Sequence, residues 1–291
     1  MSIWQAIVLG LVEGITEYLP ISSTGHLVLT TWLLGLNDAD QKTAVDAFVI
    51  FIQGGAILAV LGLYRRRVGQ MIRGLFGTSV HGRRLLVNLV VAFLPAAALG
   101  PLLNDAIETR LFHPVPVIAA LAIGGVVMIV LGPWQRRFYH EGSEQHTGHT
   151  FVDLDQLTWR MALVIGLLQC LAMWPGTSRS MVTIVGGMLV GMRARHAAEF
   201  SFLLALPTLG GACVYRLAKN MASGDGEQSM FEVLGWLPVV VGLAAATVSA
   251  ALAIKWLVGW LTRHGLAVFG WYRLGIAGVF VVLVWAGVIG F

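Results

Sequence analysis

Apolar residues fill long runs of this 291-residue chain, and polar residues gather in short intervals between them. Six runs of about 20 residues, near 43–64, 84–104, 113–133, 196–217, 236–258 and 270–290, are each long enough to cross roughly 30 Å of hydrocarbon as a helix. Two further apolar regions, 4–36 and 157–192, are each broken by a polar turn around a proline, EYLPISSTGH at 17–26 and MWPGTSRS at 173–180. The halves on either side of these turns are too short to span comfortably. Non-helical backbone at membrane depth survives only when it is buried in protein or lines a wet cavity. Both regions are therefore expected to form re-entrant helical hairpins. The pattern predicts an all-α integral membrane protein, one polytopic domain over residues 1–291, with about six transmembrane helices and two re-entrant hairpins.

The two broken regions resemble each other. GLVEGITEYLPISS at 10–23 aligns with GLLQCLAMWPGTS at 166–178 when one residue is skipped before the proline. Downstream, FIQGGAILAVLGLYR at 51–65 shares its Phe start and Tyr-Arg end with FLLALPTLGGACVYR at 202–216. The spacing is about 150 residues in both cases and divides the chain into repeats over about 3–132 and 157–291. Interrupted segments at corresponding places in two halves point to a site where the repeats meet.

Composition adds the solvent. Hydrophobic residues make up 57% of the chain and charged ones 12%, against about 25% charged in a soluble domain. That much apolar surface requires lipid, and the 35 glycines suit helices packed backbone to backbone. The net charge of +4 does not point to nucleic acid, because the basic residues sit in short loops. There they report topology. One face receives fourteen, among them Arg65, Arg66, Arg67, Arg83, Arg84, Arg137 and Arg273; the other receives Lys42, Arg110, Arg216 and Lys219. The first face is expected to be cytoplasmic, with cytoplasmic loops at about 65–83 and 134–156 and both termini outside. The first hairpin then enters from outside and the second from inside, which makes the repeat inverted. No Lys or Arg precedes the first apolar run, which itself carries Glu13 and Glu17, so it does not read as a cleavable signal peptide. Cys170 and Cys213 lie in apolar stretches with no disulfide or metal spacing.

Few residues remain to carry chemistry. Glu13 and Glu17 stand four apart and share one helix face. Charges at membrane depth are costly and default to a functional reading; the plain alternative places both near the outer rim, solvated or protonated. Two carboxylates suit a hard divalent cation, Mg²⁺ or Ca²⁺, or one of them can serve as a general base. Pro20 stops that helix, and Ser22, Ser23, Thr24 and Gly25 form a turn whose N–H groups can face an anion. His26 is the one histidine of eight inside an apolar segment away from a loop or helix end. A structural histidine is the ordinary reading, but Ser23 three residues earlier suggests a nucleophile–base pair. In the second hairpin, Pro175, Gly176, Thr177, Ser178, Arg179, Ser180 and Thr183 make a hydroxyl-rich turn with one cation. Arg179 has no acid in its own hairpin. Its partner is either Glu13 or Glu17 across the repeat or a phosphate gripped bidentately, and Gly176 with the hydroxyls favours phosphate. Trp4, Trp134, Trp236, Trp271 and Tyr272 near span ends need no role beyond interfacial anchoring.

EGITE, PISSTGH and PGTSRSMVT resemble the motifs of the undecaprenyl pyrophosphate phosphatase family, also called the bacitracin-resistance family. The likeness runs from residue 3 to the last span, Tyr272-Arg273 included, with longer segments near 138–156 and 219–232. It places the family's glutamate motif on Glu13 and Glu17, its active histidine on His26 and its second motif on Pro175 through Thr183. The resemblance implies removal of one phosphate from a C55 polyprenyl diphosphate, which regenerates the lipid carrier for peptidoglycan and underlies bacitracin resistance. It also implies a bacterial plasma-membrane enzyme with an extracytoplasmic site. Glu17 and Glu13 are then expected to hold the divalent ion, and Glu17, Ser23, His26 and Arg179 to be catalytic. Ser22, Thr24, Gly25, Gly176, Thr177, Ser178, Ser180 and Thr183 are expected to bind the substrate. His26 acts as base on Ser23, as base on water, or as nucleophile; the sequence leaves all three open. The expected partners are the lipid substrate and membrane lipid, not nucleic acid, and a homodimer is left open. The rival is a polyprenyl-phosphate flippase, because broken helices in inverted repeats are transporter architecture. Phosphate release by purified protein in detergent separates the two.

Overall fold

The chain is seen here in a computed structural model that describes residues 1–37, 39–135, 151–223 and 230–287. Helix α1 (Ile3–Tyr18) opens on a capping box, in which Ser2 Oγ accepts from Gln5 N–H and Gln5 Oε1 accepts from Ser2 N–H. Its lipid-facing side carries Ile7, Leu11 and Ile15, while Ala6, Leu9, Gly10, Glu13, Gly14 and Glu17 face inward. Pro20 ends it, and the chain turns back into α2 (Ser23–Leu33). Then follow α3 (Ala39–Leu63), α4 (Arg65–Leu75), α5 (Val80–Leu111) and α6 (Pro114–Val130). The second half repeats the plan with α7 (Trp159–Gln169), α8 (Arg179–Leu189), α9 (Ala194–Ser223), α10 (Trp236–Leu261) and α11 (Ala267–Trp285). No strand occurs among the described residues. The six expected spans fall on α3, α5, α6, α9, α10 and α11, and among the described residues α3, α5, α10 and α11 are long and apolar enough to cross a membrane. Their outer faces carry exposed Val90, Leu94, Ile123, Val248, Leu252 and Val282, as lipid-facing helices do. The protein is an all-α membrane protein.

Two expectations need correcting. Segment 65–83 is not simply a loop, because Arg65–Leu75 is helical. Val68, Met71, Ile72 and Leu75 recur at i, i+3, i+4 and i+7 with arginines between them, the pattern of a helix lying in the membrane interface. Met71 and Gly74 are buried, while Ile72 and Leu75 are exposed. Arg273 is not a loop cation either: it lies inside α11 and is fully buried. Thirteen basic residues therefore remain on the cytoplasmic side of the charge count, and the asymmetry stands. Of segment 134–156, residues 136–150 fall outside the described residues, as do 224–229, which include Asp225 and Glu227.

The packing partners of the two halves exchange. Helix α1 runs along α10, and its counterpart α7 runs along α5; α3 meets α9 and α6 meets α11. Ser22 (φ 75°) and Ser178 (φ 74°) are the non-glycine residues with positive φ among those described, and each immediately precedes the second helix of its hairpin. A single ungapped offset of 156 residues carries Ser22 onto Ser178, Glu13 onto Gln169 and Gly10 onto Gly166. The structural match of the two hairpins therefore needs no skipped residue. The prolines are not equivalent, and Pro20 matches Gly176 instead.

Gly10 and Gly14 set the depth of α1 against α10. A Cβ on Gly10 would overlap Gly242 O, and one on Gly14 would overlap Ser249 Oγ and Ala246 O. Ser249 Oγ donates to Gly10 O at 3.3 Å across the contact. Small residues let the two backbones approach in this way. Gly14→Val is expected to lower the thermal midpoint in detergent sharply, by at least the roughly 1–3 kcal/mol of an overpacked core. Gly62→Ala, where a Cβ meets open space, should leave it unchanged.

Candidate active site

The hairpin tips meet on one carboxylate. Ser23 Oγ donates to Glu17 Oε2 at 2.7 Å, and Arg179 Nη2 donates to Glu17 Oε1 at 3.1 Å. Ser23 and Arg179 are the first residues of α2 and α8, so both helix N-termini, with their unpaired N–H groups, converge here. Both side chains of the ion pair are largely buried, at 12% exposure for Arg179 and 7% for Glu17. Such a pair survives desolvation only with further hydrogen bonds. Arg179 has them: Nη1 donates to Ser201 O at 2.8 Å, and the guanidinium lies 5.9 Å from the centre of the Tyr18 ring. Its Nε, however, is buried without an acceptor.

Glu13 lies one turn earlier on the same face, is 0% exposed, and neither carboxylate oxygen has a donor. Glu13 is therefore not solvated at a rim; a protonated carboxyl is the other way such a buried group is held. An unpartnered buried carboxylate beside a second one fits a hard cation. Among the described residues no cluster of three or more ligating side chains exists. A cation here would thus complete its shell with substrate or water oxygens, the usual habit of Mg²⁺.

His26 stands one helical turn beyond Ser23, but the expected Ser23–His26 contact is not made. Its Nδ1 lies 2.7 Å from Ser22 O and its Nε2 lies 2.8 Å from the Tyr272 hydroxyl. The carbonyl can only accept, so Nδ1 carries the proton, and in the neutral ring Nε2 accepts from Tyr272. The two rings are parallel to within 3°, their centroids 5.6 Å apart. Tyr272 therefore has a role beyond interfacial anchoring.

The remaining candidates divide. Ser23, Thr24, Thr177, Ser178 and Arg179 are partly accessible. Ser180 and Thr183 are fully buried. Ser180 Oγ donates to Leu19 O, tying the second turn to the first, and Thr183 Oγ1 bonds Arg179 O and Ser201 Oγ. Their hydroxyls position the turns and are not free for a ligand. Gly25 packs against Leu121, Ser22 offers its carbonyl to His26, and Gly176 (φ 96°) has no room for a Cβ beside Val117 O.

Sequence reasoning missed Arg273. It is fully buried, has no carboxylate partner among the described residues, and its nitrogens donate to five carbonyls. Nε bonds Leu121 O at 3.1 Å; Nη2 bonds Ala120 O and Gly176 O at 2.9 and 2.8 Å; Nη1 bonds Thr177 O at 2.8 Å and Pro20 O at 3.4 Å. One guanidinium thus holds both hairpin turns and α6. The available signal was a lone arginine in the middle of an apolar run, which charge counting misassigned to a loop.

Fold and site together define a multi-pass α-helical membrane protein with a Glu–Arg–Ser centre buried between two hairpin tips. The profile of the family described as bacitracin resistance protein BacA matches residues 6–279, and the chain belongs to that family. A Rhodospirillum rubrum protein named undecaprenyl-diphosphatase 2 is 43% identical over 285 residues, covering 98% of this chain and 96% of that protein. The Azotobacter vinelandii undecaprenyl-diphosphatase is 44% identical over 289 residues, again covering 98% and 96%. One from Sorangium cellulosum is 43% identical over 276 residues, covering 95% and 84%.

Arg273→Met strands five buried carbonyls and should cost more than about 3 kcal/mol of stability. Arg273→Lys keeps the charge but not the fork of donors, and should recover less than half of the lost thermal midpoint. Thermal unfolding of both variants in detergent checks this.

Proposed function

We propose that the chain hydrolyses undecaprenyl diphosphate to undecaprenyl phosphate and inorganic phosphate, and so recycles the lipid carrier for peptidoglycan and related wall polymers. The observation that carries the mechanism is the Glu17 carboxylate, with Ser23 on one oxygen and Arg179 on the other. Ser23 Oγ attacks the terminal phosphorus of the diphosphate while Glu17 Oε2 takes its proton. The bond from that phosphorus to the bridging oxygen breaks, and the lipid monophosphate leaves with the electron pair. Water then cleaves the phosphoserine, releasing phosphate and returning Ser23. Arg179 swings its fork from Glu17 to the phosphoryl oxygens, with the α2 and α8 N-termini and Thr24, Thr177 and Ser178 as further donors. His26, fixed by Ser22 O and Tyr272, orients the first turn of α2, on which Ser23 stands. A divalent cation, Mg²⁺ or Ca²⁺, would be held by Glu13 and Glu17 and would neutralise diphosphate charge. The flippase reading gains nothing from the relatives, whose names describe a hydrolase.

Orientation follows from loop charge: a bacterial plasma-membrane enzyme with both termini and the first hairpin's mouth on the extracytoplasmic side. The unpaired apolar faces leave room for the lipid tail to exit sideways and for a homodimer contact.

Ser23→Ala and Glu17→Gln should each reduce turnover by about 10²–10⁴-fold in detergent. The double variant should be no worse than the weaker single one, because the two act as a unit. Arg179→Lys should lose about 10²–10³-fold. Acid quenching with terminally labelled substrate should trap phosphoserine in the wild type and none in Ser23→Ala. Normal turnover in Ser23→Ala would move the attack to water.

Cysteines introduced at Arg66 and Glu108, near opposite ends of the spans, test the orientation. A membrane-impermeant thiol reagent added to intact cells should label position 108 and not 66; the reverse would put the site on the cytoplasmic side.

A further inference from the structure

Far from the Glu17 centre, the first turns of α5 and α7 part around a cleft of about 390 Å³. Its floor is closed where Asn88 Nδ2 donates to Leu157 O at 2.7 Å, and beyond that Gly166 packs directly on the Ala92 backbone. Val80, Val87 and Trp159 line it and keep exposed apolar surface, at 65%, 47% and 54%. Arg83 and Arg84 line it as well. Arg84 spends one nitrogen on Asp155 O at 3.0 Å, and a third guanidinium, that of Arg160, lies 5.4 Å from the centre of the Trp159 ring.

The charge around this cleft is one-sided. The carboxylate next to it, Asp155, pairs with Arg67 at 3.2 Å, an arginine it shares with Glu199, and Asp153 faces His196 at 3.0 Å. Among the described residues no carboxylate pairs with Arg83, Arg84 or Arg160. The cleft is at the end of the spans that loop charge assigns to the cytoplasm, beside the interfacial helix α4. A soluble anion would satisfy only the rim, leaving the valine and tryptophan wall against water. A zwitterionic lipid would bring its own cation to three guanidiniums. An amphiphile with a net negative phosphate and an acyl chain satisfies both parts.

We propose that this cleft binds an anionic phospholipid of the cytoplasmic leaflet, its phosphate on Arg83 and Arg84 and an acyl chain along Val80 and Val87, bracing α5 against α7. Since α5–α7 is the counterpart of the α1–α10 contact, the lipid supports the second hairpin from the side away from the site.

The test uses the purified full chain in detergent with dioleoyl phosphatidylglycerol, dioleoyl phosphatidylcholine or inorganic phosphate, read by native mass spectrometry and thermal midpoint. Phosphatidylglycerol should be retained about ten-fold over phosphatidylcholine and should raise the midpoint. Arg83→Gln with Arg84→Gln should cut its retention on the order of ten-fold and leave phosphatidylcholine unaffected. Val87→Trp, which fills the cleft with the charges intact, should cut it as well. Equal retention of the two lipids by the wild type would overturn the proposal, and so would undiminished retention in both variants. A midpoint shift with inorganic phosphate as large as with phosphatidylglycerol would reassign the cleft to a soluble anion.

Discussion

Glu17 is the point on which this molecule depends. Its carboxylate is withdrawn from water and is stable there only because each oxygen receives a donor from a different half of the chain. Those donors are the first side chains of α2 and α8, so one ion pair and one hydrogen bond fix the two hairpin tips relative to each other. The same arrangement is poised for chemistry. In the proposed mechanism the acceptor that neutralises the helix ends would also be the base beside a serine hydroxyl, and the arginine that neutralises the acceptor would grip an incoming phosphate. Structure and reactivity use the same three groups.

Holding that centre requires a second device. Two broken helices leave unpaired carbonyls at the turns, which lipid cannot satisfy. Arg273 satisfies those of Pro20, Gly176 and Thr177 together with two from α6. Its neighbour Tyr272 holds His26. Consecutive residues of the last helix thus position both hairpins, one through backbone and one through the histidine. Ser180 adds a third tie by donating to Leu19 O. Glu13 remains outside this network, with both oxygens unmatched, and it is the group a cation would satisfy.

The inverted repeat explains how one chain builds converging tips. In the proposed orientation its two halves would face opposite ways across the membrane, so hairpins entering from opposite sides would present their second-helix N-termini to the same centre. The halves then diverged where chemistry required it. Position 13 is a glutamate in the first and its counterpart 169 a glutamine; Ser23 in the first corresponds to Arg179 in the second. The repeat supplies the scaffold, and the differences between its halves supply the carboxylate, hydroxyl and guanidinium that meet at the centre.

The sequence by itself determined the class, the spans and most of the centre. Hydropathy over 20-residue windows reports how the chain meets lipid, a local property, and Glu13, Glu17 and Arg179 stood out because isolated charges in apolar runs are costly anywhere. Helix α4 was legible too in its i, i+3, i+4 pattern, but short polar stretches read more readily as loops. Only the tertiary structure decided which charges meet. The Glu17–Arg179 contact joins residues far apart in sequence, and so does the caging of Arg273 by carbonyls of three segments. The pairing of His26 with Tyr272 instead of Ser23 follows from how α11 packs beside α2. Backbone carbonyls carry no residue identity, so a guanidinium that binds only carbonyls leaves no partner in the sequence to find.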